Sequence, residues 1–383
     1  MQNRLLKIAM YSIALNILFV PFNSSVAAIF GYCTILISVL YPLLRSYEAG
    51  KLKVNTLIIL LAAVLLASAL TSIADFQRKN LQNYIVSAVS FLSFYWALSC
   101  SEQGVGGAWL EDLYKANYIL CAIFIAFSFG PFDFKYMQIN QWGDTVFSMG
   151  LGNPNTVAVH VMFSLILLIM KNLSERKTLR KAINWCLILL LLVILYKLSS
   201  RTVMAATVTV LICVLLRVKK RNSLWIAYIA LLVPLLIVII QPMLSSETLG
   251  QVLGKSLETG RGSIFRFFFK TVRKNPHHYV VGRFFKYGFE NYHNVPLTIM
   301  GNVGIVGLVF YIVFWAKQFK MLNGMCENKI QFVAWLALVA YMIHSASEAM
   351  MFVGTIPYGM YVIILTEIAK GNIRSKNTQI TNC

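Results

Sequence analysis

Charged residues are scarce in this chain of 383 residues: Asp, Glu, Lys and Arg together make up 13% of it, whereas hydrophobic residues make up 58%. Soluble domains carry roughly 25% charged residues, so the composition excludes an ordinary soluble domain. Apolar runs of about 20 residues, the length that crosses a hydrocarbon core, recur along the chain. Because helices satisfy their own backbone hydrogen bonds in lipid, we predict an all-α, polytopic membrane bundle.

Patterns that would indicate a metal, a disulfide framework or a nucleotide sugar are also missing. The seven cysteines are scattered, and none lies in the long polar segment Pro242–Asn294, which argues against a disulfide framework or a Cys-based zinc site. His277 and His278 have no carboxylate or thiol at ligand spacing. The sequence contains no Asp-x-Asp pair to hold a metal–nucleotide complex. We therefore expect no metal and no cofactor.

The apolar runs predict about twelve transmembrane helices in a single integral membrane domain, residues 1–383. The helices are expected near Leu5–Val20, Val26–Leu44, Val54–Ala74, Leu81–Leu98, Ala116–Gly130, Thr156–Met170, Ile183–Leu198, Thr202–Leu216, Leu224–Gln241, Val295–Trp315, Ile330–Met350 and Ile356–Ile368.

Basic residues orient this bundle, because cytoplasmic loops are enriched in Lys and Arg. Alternate loops carry the basic clusters, which places them on one side, together with a cytoplasmic tail at Lys370–Cys383. The net charge of +20 then reflects topology and attraction to anionic membrane lipids rather than nucleic-acid binding. The residues of these clusters are Arg4, Lys7, Arg45, Lys51, Lys53, Lys171, Arg176, Lys177, Arg180, Lys181, Arg217, Lys219, Lys220, Arg221, Lys317, Lys320, Lys329, Lys370, Arg374 and Lys376.

The same topology places the long loop Pro242–Asn294 outside the cytoplasm, although it is basic. Within it, Ser263–Lys274 is predicted to form an amphipathic helix with Ser263 as its N-cap. Arg266, Lys270, Arg273 and Lys274 would share one face, and Phe265, Phe268, Phe269 and Val272 the other. Such a helix can lie at the lipid interface and turn its cations towards polar headgroups.

Other polar residues collect at the same predicted outer level, where ionisable groups are costly unless they serve a function. Arg201 follows a turn between two spans and is suited to two-point contact with phosphate; the alternative is an arginine that only extends to the interface. Glu348 could pair with Arg201 or Arg261, or hold a hydroxyl of an acceptor. His160, in the sixth span, is interpreted as a hydrogen-bonded core histidine. The remaining candidates for substrate binding at this level are Arg266, Asn153, Asn155, Asn294 and His344.

His293 is the strongest candidate for chemistry. It lies beside Asn294 at the mouth of a span, next to the cationic loop, and an imidazole can accept a proton from a sugar hydroxyl. A purely structural His–Asn pair at the interface is the alternative. Gly301, Gly304 and Gly307 follow, and we expect them to allow close packing of helices.

Several of these motifs together resemble the superfamily of O-antigen ligases and O-antigen or capsule polymerases. The similarity rests on His293–Asn294, then nine residues, then Gly304–Ile305–Val306–Gly307. Ser200–Arg201–Thr202, Asn153–Pro154–Asn155 and Thr259–Gly260–Arg261 are also similar to recurrent motifs of that family, in its usual order.

The resemblance implies a fold like that of the membrane-embedded, lipid-phosphate-dependent glycosyltransferases. It implies inverting, metal-independent transfer of a glycan from an undecaprenyl-diphosphate-linked oligosaccharide to the hydroxyl of an acceptor glycan or lipid A-core, at the outer face of the bacterial cytoplasmic membrane. Arginines matching Arg201, Arg261 and Arg266 would hold the diphosphate, and His293 would orient or deprotonate the acceptor. A chain-length regulator is a conceivable partner. Cations and one base suffice in principle, because the leaving group is already activated.

Two other functions stay open. A ligase that moves finished polymer onto lipid A-core shares the same signature. A lipid-carrier flippase or polysaccharide transporter would place charges at several depths of a central cavity, between repeat-related broken helices; here the charges gather at one face and no internal repeat is visible.

The topology can be tested by cysteine accessibility on a Cys-free background. A cysteine replacing Ser246 should react with a membrane-impermeant reagent in intact spheroplasts, because the Lys/Arg asymmetry places the long loop outside. Labelling in inverted vesicles alone would reverse the assignment.

Overall fold

A computed structural model describes residues 2–48, 56–71, 81–99, 108–133, 138–139, 145–216, 220–240, 251–252, 255–256, 261–274, 276, 279–280, 282, 292–348 and 358–371. These residues are mostly helical. Two two-residue hairpins are also present, Gln138–Ile139 with Thr145–Val146 and Gln251–Val252 with Lys255–Ser256.

The described helices match every apolar segment predicted from the sequence. They are α1 (Gln2–Phe19), α2 (Ser24–Glu48), α3 (Thr56–Thr71), α4 (Leu81–Ser99), α5 (Ala108–Phe129), α6 (Pro154–Ser174), α7 (Thr178–Leu198), α8 (Arg201–Leu215), α9 (Lys220–Ile240), α10 (Arg261–Lys274), α11 (Val295–Met325), α12 (Lys329–His344) and α13 (Tyr358–Lys370).

Six of these helices are long and apolar enough to cross a membrane: α2, α5, α6, α7, α9 and α11. The chain is therefore a multi-pass helical membrane protein, as predicted. Within the described ranges, α8 and α12 are apolar but shorter than a full span, so the count of about twelve spans stays a prediction.

Helix α12 lies at the centre of the bundle. It packs against α6, α8, α9 and α13, and nearly every side chain from Gln331 to Met342 is buried. A helix that is apolar on all sides must bury every side against protein or lipid. Because protein surrounds α12, its 16 residues need not match the thickness of a bilayer.

One end of the bundle brings together the starts of α6 and α11 and the residues that follow α12, and we call it the His293 end. Side-chain contacts join Asn155, His293 and Glu348 there. Because α7 and α8 follow α6 through short turns, the turn that precedes Arg201 lies at this end too. Ion pairs Lys7–Asp112 and Lys171–Glu111 mark the opposite end, so these two basic residues share one face, as the charge pattern predicts.

Asparagine and proline begin both helices that form the His293 end. Asn153 accepts a hydrogen bond from the backbone N–H of Asn155, and Pro154 is the first residue of α6. Asn294 accepts from the N–H of Leu297 at the start of α11. Such caps satisfy N–H groups that have no partner within the helix.

Helix α11 is broken at Gly304, where φ is 81° and ψ is −176°. This backbone conformation is essentially restricted to glycine. The kink separates an initial segment, Val295–Val303, from the longer remainder of the helix. Gly304 therefore has a backbone role, and the expectation that it also allows close helix packing stays a prediction.

Two predicted boundaries were wrong. Helix α10 begins at Arg261, so Ser263 lies in its first turn and is not its N-cap. Helix α12 ends at His344 rather than Met350, and Ser345–Glu348 form a turn.

The surroundings of α10 also differ from the interfacial anchor that its sequence suggested. Phe265, Phe268 and Val272 are buried, and they pack with Val238 of α9 and Leu297 of α11. The apolar face of α10 therefore binds protein rather than lipid, which fixes the helix over the start of α11. Its opposite face exposes Arg266, Lys270, Arg273 and Lys274.

Candidate functional site

A buried carboxylate joins two of the predicted residues. Glu348 is 5% exposed; its Oε2 lies 3.0 Å from Nδ1 of His293, and its Oε1 accepts a hydrogen bond of 2.9 Å from Nδ2 of Asn155. An ionised carboxylate can only accept, so with Glu348 ionised the ring nitrogen Nδ1 of His293 is the donor in this contact. We call Glu348 and His293 the dyad.

The dyad is buried on one side and open on the other. The side chain of Glu348 is 6% exposed and that of His293 is 38% exposed. A proton on Nδ1 leaves the lone pair of the neutral ring on Nε2. The arrangement therefore has the parts of a general base: an accessible imidazole and a buried carboxylate that fixes its tautomer and orientation.

The start of α6 positions the third member of this contact. Asn153 holds the backbone of Asn155 through the Asn153 Oδ1 acceptor, and the amide of Asn155 then reaches across to Glu348. Tyr358 ties α13 to the same turn by donating from its hydroxyl to the backbone oxygen of Thr156 at 3.2 Å. Asn153 thus holds Asn155 in place, and Asn155 in turn binds Glu348.

Asn294 fixes the backbone on the other side of His293. Its amide nitrogen donates to the backbone oxygens of Pro234 (2.9 Å) and Ala346 (3.2 Å), while its Oδ1 caps α11. The N–H of Val295 donates to the oxygen of Ser345 at 2.9 Å. These bonds join α9, α11 and the turn after α12 immediately beside the dyad.

The position of Pro234 shows that the dyad lies below the rim of the bundle. Helix α9 continues for six more residues, to Ile240, which corresponds to about 9 Å along its axis. Asn294, and with it His293, therefore lies about two turns below the end of α9. The dyad is therefore set back from the end of α9, and α10 packs on α9 and α11 beside it.

Left-handed backbone conformations mark the same end. Among the described residues, the non-glycine positions with positive φ are Met149 (54°), Ser199 (51°) and His293 (53°). They precede α6, α8 and α11 respectively, and all lie at the His293 end. Such conformations cost of order 1 kcal/mol or more and are concentrated at functional sites.

Two of the three predicted arginines are the first residues of helices. Arg201 is half-buried and is the first residue of α8. Arg261 begins α10; its side chain, and Thr259–Gly260 before it, lie outside the described residues. Arg266 is on the exposed face of α10. The carboxylate of Glu348 contacts the imidazole of His293, a partner that the sequence did not indicate, and its pairing with an arginine stays a prediction.

The other two histidines of interest are buried. His344 is 1% exposed beneath the turn that carries Glu348, and its backbone oxygen accepts from the N–H of Ser347 at 3.1 Å. His344 thus lies beneath the site and is not exposed at its surface. His160 is 4% exposed, and its Nδ1 lies 2.6 Å from the hydroxyl of Tyr361, which confirms the interpretation as a hydrogen-bonded core histidine.

Sequence reasoning missed Pro234, Tyr292, Thr298 and Gly282, all of which contact the start of α11 or the residues just before it. A proline inside a span frees backbone groups that need other partners. Pro234 could therefore have been recognised from the sequence as a position where the backbone bonds to another part of the chain. The other three contacts depend on how the long loop folds back, for which the sequence has no periodic pattern.

A scan against models of protein families finds no match to this chain, and a search of the curated proteins finds no relative. The resemblance to glycan polymerases and ligases therefore stays a prediction from the motif residues.

We expect Asn294→Ala to lower the free energy of unfolding by about 2–4 kcal/mol, because it removes a helix cap and two buried donor bonds. Asn23→Ala is the matched control. That residue caps α2 through the N–H groups of Ser25 and Val26 in an exposed turn, so its loss should cost about 1 kcal/mol. Denaturant unfolding of the detergent-solubilised protein measures both. Equal losses would contradict the tie to Pro234 and Ala346.

Proposed function

We propose that the protein transfers a glycan from an undecaprenyl-diphosphate carrier to a sugar hydroxyl, and that it polymerises repeat units of a bacterial surface polysaccharide. The observation that carries this proposal is the dyad of half-buried His293 and buried Glu348 at one end of a membrane bundle. The motif resemblance supplies the class of substrate, and the site supplies groups suited to it.

The base has a defined part in this reaction. Nε2 of His293 takes the proton of the acceptor hydroxyl while the oxygen of that hydroxyl bonds to the anomeric carbon of the carrier-linked sugar. The carboxylate of Glu348 stabilises the imidazolium that forms. Because the oxygen attacks from the face opposite the leaving group, the configuration at the anomeric carbon inverts.

The leaving group needs cations rather than a proton. The bond between the anomeric carbon and the diphosphate breaks, and the diphosphate departs with the electron pair. Arg201 at the start of α8, Arg261 at the start of α10 and Arg266 on the outer face of α10 are the cations we assign to it. Guanidinium groups and helix N-termini both favour phosphate oxygens.

The position of the site at one end of the bundle suits a lipid-linked donor. A carrier whose chain lies in the bilayer presents its diphosphate near the membrane surface, and Arg201 begins α8 at the same end as the dyad. We place this end at the outer face of the cytoplasmic membrane on the basis of the Lys/Arg asymmetry.

His293→Ala separates polymerase from ligase. Without the base, a polymerase should leave lipid-linked single repeats and no polymer ladder, whereas a ligase should leave long chains on the carrier. Glycan profiles of the variant strain measure this. We expect the first pattern, and Glu348→Gln should give it in a weaker form, because it keeps a hydrogen-bond acceptor but loses the charge that stabilises the imidazolium.

Long carrier-linked chains in the His293→Ala strain would favour the ligase. Normal surface polymer would remove His293 from the chemistry altogether.

Arg201→Ala should abolish transfer at normal protein level, and Arg201→Lys should restore it only in part, since lysine cannot make the planar two-point contact with phosphate. Arg180→Ala is the matched control. Arg180 lies at the opposite end of the bundle, 3.9 Å from Glu175, and its loss should leave transfer unchanged. Full activity of Arg201→Ala would exclude that residue from the diphosphate site.

A further inference from the structure

The residue before His293 is held by a contact that the proposed reaction does not itself require. Tyr292 is 4% exposed, and its ring packs edge to face on Phe268 of α10 with a centroid separation of 5.0 Å. Its backbone N–H donates to Oγ1 of Thr298 at 3.2 Å. The peptide that enters His293 is therefore fixed through both its side chain and its backbone.

Gly301 makes room for that ring. A Cβ atom on Gly301 would lie 2.5 Å from Cε2 of Tyr292 and 3.2 Å from Cε2 of Phe268. The first distance is shorter than carbon atoms tolerate, and Phe268 blocks the ring from moving aside. Helix α11 thus has a notch at Gly301, one turn after Thr298, and Tyr292 fills it.

A second close approach lies beside the notch. Gly282 of the long loop has φ 77°, and a Cβ atom there would strike the backbone of Asn302 and lie 2.5 Å from the nitrogen of Val303. The loop therefore touches the initial segment of α11 backbone to backbone, directly before the kink at Gly304. Two contacts of the long loop thus fall on three successive residues, Gly301 to Val303, of one short helical segment.

We infer that Tyr292, seated in the notch of Gly301 and pressed there by α10, is the positioning element that sets the left-handed backbone and the ring orientation of His293. His293 has φ 53°, a conformation that persists only where neighbours over-determine it. Glu348 fixes the ring from one side, and the Tyr292 contact fixes the backbone from the other. Tyr292 and Gly301 act through His293, and neither is assigned contact with substrate.

This inference rests on the proposed function for its purpose, but it can be tested on the imidazole itself. The chain has five histidines. Nitrogen NMR of the full-length protein with labelled histidine, reconstituted in lipid and in alkaline buffer, reports which ring nitrogen of each carries the proton. His293→Gln identifies the signal of His293, which should show a proton on Nδ1.

Gly301→Ala should shift the His293 signals towards a mixture of tautomers, because the displaced ring moves the imidazole away from Glu348. Tyr292→Ala should do the same, and the double variant should add little to either, since both act through one contact. Gly324→Ala, in the same helix but with no atom within 4 Å of the added carbon, is the control and should shift nothing.

Thr298→Val tests the same inference without adding atoms to the notch. It removes the oxygen that accepts from Tyr292 and keeps the shape of the side chain, so it should shift His293 even if Gly301→Ala fails to fold. The His160 signal, whose ring contacts Tyr361, must stay in place in every variant that is scored.

An unchanged His293 signal in folded Gly301→Ala and Thr298→Val proteins would overturn the inference. That failure differs from a failure of the proposed function, in which His293→Ala leaves surface polymer normal while the notch variants still shift the imidazole.

Discussion

The site depends on one buried carboxylate that two helices and a loop share. Glu348 is 5% exposed, and leaving an ionised carboxylate uncompensated in such a place costs several kcal/mol. Each hydrogen bond to a charged group returns about 1.5–3 kcal/mol. The contacts with Asn155 and His293 are therefore a condition for keeping Glu348 charged where it lies, and they bring the starts of α6 and α11 to the end of α12.

The membrane imposes a second constraint, on the backbone around the dyad. Non-helical chain at membrane depth is tolerated only where protein or water satisfies its polar groups. The turn after α12 meets this requirement by accepting from Val295 and Asn294, and the oxygen of Pro234 accepts from Asn294 as well. Asn294 thus connects the start of α11, the turn after α12 and Pro234 of α9. Its position next to His293 therefore has a structural reason as well as a chemical one.

The sequence predicted the elements better than their arrangement. Apolar runs located the helices, because that signal is local. The dyad was not predicted, because Glu348 and His293 are 55 residues apart and the sequence suggested an arginine or an acceptor hydroxyl as the partner of the carboxylate. Helix α10 shows the same limit. Its pattern was right, but periodicity cannot tell lipid from the protein surface formed by Val238 and Leu297.

The two faces of α10 explain how one helix can serve both the donor and the base. Its apolar face is committed to α9, α11 and Tyr292, so the helix is fixed in rotation about its own axis. Arg266 lies on the exposed face of the same helix. In the proposed reaction, a diphosphate bound to Arg266 would contact the helix that seats Tyr292 beside His293. The donor site and the base would thus be joined by a single rigid element.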